Sequence, residues 1–165
     1  MKALRFIKLI LDRLLLVVSL TLLAIMIVII IYQVFSRQIL NSTPSWSEEL
    51  SRILFVWVSL LGIAYGFKEK LHIALGLVVN MMPKRVQEGF DYFAKVLVIF
   101  FGVIMIYYGW SFTTLMGNNT MPGTGLPGSA LYLSIPVSGF YVTMYGVLLL
   151  FQKGMHQEFD DANEV

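Results

Sequence analysis

The sequence predicts an all-α integral membrane protein: four transmembrane helices with interfacial amphipathic segments, and both termini in the cytoplasm. Three observations carry this. Hydrophobic residues make up 58% of the 165 and charged ones 13%, with a mean hydropathy of +0.77, a balance that a soluble domain of this size cannot hide. Four runs contain no Asp, Glu, Lys, Arg or His: residues 14–32, 53–67, 96–116 and 130–151. Lys and Arg number four before the first run, two in the first loop, five in the second, none in the third and one after the fourth. With both termini inside, ten of the twelve face the cytoplasm, as the positive-inside rule favours. The whole chain reads as a single four-helix membrane domain, residues 1–165.

The first run is long enough to cross a hydrocarbon core, which takes about 20 apolar residues. Residues 4–11, with Arg5, Lys8 and Asp12 at helical spacing on one face, suit an interfacial lead-in to that helix, and equally a plain positive flank. A secretory signal is the poorer reading. The apolar core is longer than the roughly 7 to 15 residues usual for one, and Tyr32-Gln33-Val34-Phe35 has no small-residue cleavage site.

The second run, at 15 residues, is short for a span. Its helix is expected to start near Pro44, because Ser45 followed by Glu48 fits a capping box. Glu48 and Glu49 precede Arg52 by four and three residues, the spacing at which acid and base meet on a helix face. Trp46, Leu50, Ile53, Leu54 and Trp57 form the apolar stripe. A short span draws its charged head and its basic end, Lys68, Lys70 and His72, toward the two interfaces, where Arg52 and Lys68 can snorkel. Inside the run, Gly62 and Gly66 form a Gly-x-x-x-Gly that lets two helices approach closely, within this chain or with a partner.

Residues 72–82 are too apolar for a free linker and too short to span, which suits a segment lying along the membrane surface. Pro83 marks the start of the third helix; Lys84, Arg85, Glu88 and Asp91 make its first turns polar before the run from Val96. The third loop, 117–129, is uncharged and rich in turn formers, including Asn118, Asn119, Pro122 and Pro127, and is expected not to be helical. In the fourth helix Pro136 removes one backbone bond and predicts a kink, with Ser134 and Ser138 available to the freed carbonyl.

The order Trp46-Ser-Glu-Glu-Leu-Ser-Arg52, an aromatic-rich helix, Leu61-Gly62, a basic turn and His72-Ile73 resembles the small membrane subunit of tripartite ATP-independent periplasmic (TRAP) transporters. The resemblance extends over most of the chain, since that family also places four apolar segments in about this length. One departure is that relatives commonly follow the His-hydrophobic pair with a Val-Asp type dipeptide, where this chain has Ala74-Leu75-Gly76. The resemblance implies a large membrane subunit that carries the substrate and sodium sites, braced by the small one, and a periplasmic substrate-binding protein that delivers an organic acid such as sialic acid or a C4-dicarboxylate.

The missing chemistry points the same way. Ionisable groups at membrane depth are functional by default, and the four runs have none. Without cysteine there is no disulfide, thiolate chemistry or Cys-ligated metal. His72 and His156 have no partner at metal-ligand spacing, and Ser and Thr show no nucleophile-base pairing. No cofactor, metal or enzyme activity is expected, and the net charge of +2 reflects topology, not nucleic-acid binding. The expectation is a scaffold subunit in a bacterial inner membrane. On the resemblance, Trp46, Glu48, Glu49, Arg52, Trp57, Gly62 and Gly66 would face the large subunit; Lys68, Lys70 and His72 form a cytoplasmic turn; and the loop with Asn118, Asn119, Pro122 and Pro127, by composition a plain connector, is implied by the resemblance to be a periplasmic docking loop. Membrane lipids cover the remaining faces. The alternative is a self-assembling four-helix channel or accessory protein, with Gly62 and Gly66 as its seam.

Overall fold

The computed structural model describes the backbone of residues 2–39, 41–79 and 84–151, with the side chains of 9–39, 41–66, 86, 89 and 92–150. The chain is helical: α1 (Lys2–Ile39), α2 (Ser45–Val79), α3 (Lys84–Leu115), the one-turn α4 (Ser129–Tyr132) and α5 (Ser134–Phe151). Among the described residues, four stretches are long and apolar enough to cross a membrane, namely Leu9–Ile39, Ser45–Gly66, Tyr92–Leu115 and Ser129–Leu150. The first two charge-free runs therefore lie wholly in helix, the third ends one residue past α3 at Met116, and the fourth is broken at Leu133. At 1.5 Å per residue, the 38 residues of α1 extend about 57 Å, well beyond a hydrocarbon core of about 30 Å.

Two expectations change and one is sharpened. The first concerns the basic end of the second span: α2 does not turn at Lys68, Lys70 and His72 but continues as one helix to Val79, so no separate surface segment begins at His72. The side chains of those three residues lie outside the described residues. Leu, Ala and the β-branched residues beyond His72 simply propagate a helix already nucleated. The second is sharpened without being overturned: the lead-in's backbone is continuous with the first spanning helix in α1, which fits an interfacial lead-in and a positive flank alike; Arg5 and Lys8 lie outside the described side chains. The third concerns the fourth span, which is interrupted at Leu133, three residues before Pro136. Pro136 thereby falls in the first turn of α5, where a missing N–H leaves little unpaired. The Ser134 hydroxyl donates to the Leu131 carbonyl at 2.6 Å, while the buried Ser138 hydroxyl makes no hydrogen bond.

The helices form an open row, not a closed bundle. α1 packs along α2, α2 along α5, and α5 most extensively along α3. The core lies toward one end of this row, where Leu15, Leu61, Ala64, Val98, Tyr141, Val142 and Tyr145 meet. Glycines set the α3–α5 contact. A Cβ at Gly139 would lie 2.8 Å from the Met105 Cβ and 3.0 Å from the Gly102 carbonyl oxygen, and one at Gly109 would meet Pro136 at 2.8 Å. The two backbones approach too closely for any larger side chain. Gly62 and Gly66 have no such role within the chain, since a Cβ on either would meet nothing within 4 Å.

Candidate functional site

The head of α2 and the 117–128 loop, separate groups in the sequence, come together at one end of the row. The helix begins at Ser45, but its first turn is not closed by a capping box. Instead the Ser47 N–H and hydroxyl both donate to the Pro44 carbonyl, at 3.1 and 2.7 Å. Trp46 stacks on Tyr32 of α1 with ring centroids 5.6 Å apart, and the Ser36 hydroxyl donates to the Ser42 carbonyl at 2.8 Å. Asn41 turns the connection with φ 47°, a left-handed conformation that Asn tolerates.

From this turn Glu49 reaches the loop. One carboxylate oxygen accepts the Gly123 N–H at 2.9 Å; the other accepts the Thr124 N–H at 2.8 Å and the Thr124 hydroxyl at 3.0 Å. Two successive backbone N–H groups and a hydroxyl thus converge on one anion; led by the Gly123 N–H, and with a smaller contribution from the Arg52 charge, they favour the ionised form of the Glu49 carboxyl. The loop itself is a small hairpin. Met121 N–H donates to Leu126, Gly125 N–H to Met121 and Gly128 N–H to Asn119, at 2.8, 2.8 and 2.6 Å, and Thr120 pairs with Pro127. Gly125 turns it with φ 69°. Gly123 lies flat on the first turn of α2, where a Cβ would stand 2.7 Å from the Ser45 carbonyl carbon. Asn118, Asn119, Pro122, Leu126 and Pro127 are left exposed on the far side.

The other predicted residues divide. Glu48 pairs with Arg52 at 3.2 Å, with both side chains more than 60% exposed, as the i, i+4 spacing predicts. Glu49 does not share that side, because neighbouring helix residues point about 100° apart. Trp57 turns inward against the core, and its indole N–H donates to the Ala130 carbonyl at 2.8 Å, tying α2 to α4. Gly62 and Trp46 remain on open surface, Trp46 at 40% exposure, and Gly66 is half-buried.

Sequence reasoning missed the partners of Glu49 and a second polar tie at the opposite end. There the Tyr145 hydroxyl donates to the Asp12 carboxylate at 2.5 Å, joining α5 to α1, beside Tyr65 and Tyr141. Lys95 is also buried. A signal for the Glu49 tie was present. A carboxylate one residue past an ion-paired one faces a different direction, and a facing loop without Lys or Arg can offer it only N–H and hydroxyl donors.

The family whose pattern matches residues 26–153 is described as "Tripartite ATP-independent periplasmic transporters, DctQ component". A Haemophilus influenzae protein named as a TRAP transporter small permease protein is 28% identical over 141 residues, covering 84% of this chain and 86% of that one. The sialic acid TRAP transporter permease protein SiaT of Haemophilus influenzae is 35% identical over 81 residues, 49% of this chain but only 13% of that longer protein. The C4-dicarboxylate TRAP transporter small permease protein DctQ of Rhodobacter capsulatus is 30% identical over 94 residues, 56% of this chain and 41% of that one.

Proposed function

The chain belongs to the DctQ family, the small permease component of TRAP transporters, and from that premise we propose that it is the scaffold of a sodium-driven importer of an organic acid. It is a transporter component, not an enzyme. In this reading it sits in a bacterial inner membrane with both termini in the cytoplasm, and braces a large membrane subunit that carries the substrate and sodium sites. A periplasmic binding protein supplies the solute, of the sialic acid or C4-dicarboxylate type. Relatives named for each of these solutes support the class without choosing between them.

The observation that carries the scaffold role is the open row of helices. The apolar windows of the first, second and third spans are 11%, 22% and 17% buried, so most of the described surface of these three spans is turned outward. Gly62, exposed, and Gly66, half-buried, give α2 a face on which another helix can lie close, since a Cβ on either would meet nothing within 4 Å. We assign that face, with Glu48 and Arg52 at its head, to the large subunit; Trp46, which stacks on Tyr32 of α1, we assign to the border of that interface. The 117–128 loop goes to the periplasmic side and to docking of the binding protein. The periplasmic placement follows from putting the basic loops inside; the docking role rests on membership of the family.

Mass spectrometry of what co-purifies with the tagged chain from gently solubilised membranes tests this. A stoichiometric large polytopic partner is expected; recovery of the chain alone as a defined homo-oligomer, active in liposomes, overturns it. The chain has no cysteine, so a single Asn118→Cys provides the topology test. Labelling of that thiol by an impermeant reagent from the periplasm is expected, and labelling only after lysis contradicts the orientation.

A further inference from the structure

Resting on the transporter reading above, we infer that Glu49 is a positioning residue for docking: it holds the 117–128 hairpin in the one shape that the periplasmic binding protein recognises. Three donors converge on its carboxylate, and every one comes from residues 123–124. Independently, the backbone at Gly123 is in close contact with Ser45 and Trp46, so the hairpin is seated as well as hydrogen-bonded. What the seat fixes is the far side, where Asn118, Asn119, Pro122, Leu126 and Pro127 are exposed.

That side has no Lys, Arg, Asp or Glu. Recognition there has no long-range charge steering and rests on shape and short-range hydrogen bonds, to which a wandering loop contributes poorly. An uncharged Gly- and Pro-containing loop is mobile by composition, and a carboxylate on a rigid helix removes that freedom before the partner arrives. Glu49 thus touches neither solute nor partner, and acts through the loop.

The test uses the complete complex of this chain with its large subunit in proteoliposomes under an imposed sodium gradient. Purified binding protein is titrated, and radiolabelled N-acetylneuraminic acid and succinate are the probes. Glu49→Gln and Gly123→Ala act on opposite sides of the contact, and Thr124→Val removes a single hydroxyl. Expected for the first two is faster hydrogen exchange at the amides of residues 123 and 124, and a higher half-saturating concentration of binding protein at unchanged saturated rate. If the unlatched loop holds the docking shape about a tenth of the time, half-saturation rises about tenfold. Thr124→Val gives a smaller change of the same kind.

Faster exchange with half-saturation unmoved overturns the inference and leaves the transporter reading intact. So does loss of the large subunit from Glu49→Gln complexes, which would make Glu49 an assembly residue. Unchanged exchange in Glu49→Gln and Gly123→Ala shows that the contact does not hold the loop. Uptake by the unaltered complex that does not depend on binding protein brings down the transporter reading itself.

Discussion

The fourth span buries half of its apolar window and the first 11%, although the first has the higher mean hydropathy, 3.3 against 1.6. Hydropathy measures compatibility with lipid, whereas burial depends on how closely two backbones can approach. The fourth span has Gly139, Thr143 and Gly146 on the side facing α3, and Gly102 and Gly109 meet it there. The first is dominated by Leu, Ile and Val and has no glycine, and in a membrane large apolar side chains gain little by leaving lipid for protein. The α3–α5 contact is therefore the part of the chain that holds itself together, and α1 with the outward faces of α2 and α3, whose apolar windows are 22% and 17% buried, is the part left to be covered.

Overpacking the two faces separates them most sharply. Gly139→Leu drives a side chain into Met105 and Gly102 and is expected to lower the stability of the isolated chain by about 3 kcal/mol, read as a fall in its thermal unfolding midpoint in detergent. Gly62→Leu, on the open face, is expected to leave that midpoint unchanged and to reduce recovery of the large subunit. Equal destabilisation by both would erase the distinction.

Of intermediate size is the tie that attaches α1 to α5. Tyr145→Phe removes the hydroxyl that meets Asp12 and should cost about 1 kcal/mol. Combined with Asp12→Asn in a double-mutant cycle, the two losses are expected to be clearly less than additive; additivity would mean the groups do not act together. Trp57→Phe keeps the ring in the core but leaves the Ala130 carbonyl without its donor. A loss of about 0.5 to 1 kcal/mol is expected, measured by the same unfolding transition.

The smallest effect on the chain is expected from Arg52→Ala. Its pair with Glu48 is exposed and sits on a single helix, so screening leaves it at most a few tenths of a kcal/mol. Co-purification with the large subunit should nevertheless weaken; unchanged recovery and transport would place the pair on plain solvated surface.

The two polar ties show where legibility stopped. Glu48 with Arg52 was readable because their partnership is local, set by the four-residue repeat of one helix. Glu49 with Gly123 and Thr124 joins residues 74 and 75 apart, and Tyr145 with Asp12 residues 133 apart; no periodicity reports such pairs. The glycine pattern, read as a contact within this chain or with a partner, makes none within the chain. Gly62-x-x-x-Gly66 is the familiar word, yet the contact uses Gly102 with Gly109 and Gly139 with Gly146, seven residues apart and hence on one face of each helix. The capping box failed for a related reason. The Glu48 carboxylate that the box would turn back to the Ser45 N–H lies on Arg52, one turn further along the same helix, a local competitor that the Ser45–Glu48 spacing does not reveal.

From the sequence alone came the four spans, the uncharged third loop, the helix start at Ser45 and the likeness to the TRAP small subunit, because hydropathy, charge count and helix periodicity are sums over neighbouring residues. Only the tertiary structure decided which glycines bring helices together, that α2 runs on past His72, and that Glu49 holds a loop instead of joining Glu48 at the surface. Each of those depends on which distant segment lies alongside, and on whether its backbone can approach within a few ångströms.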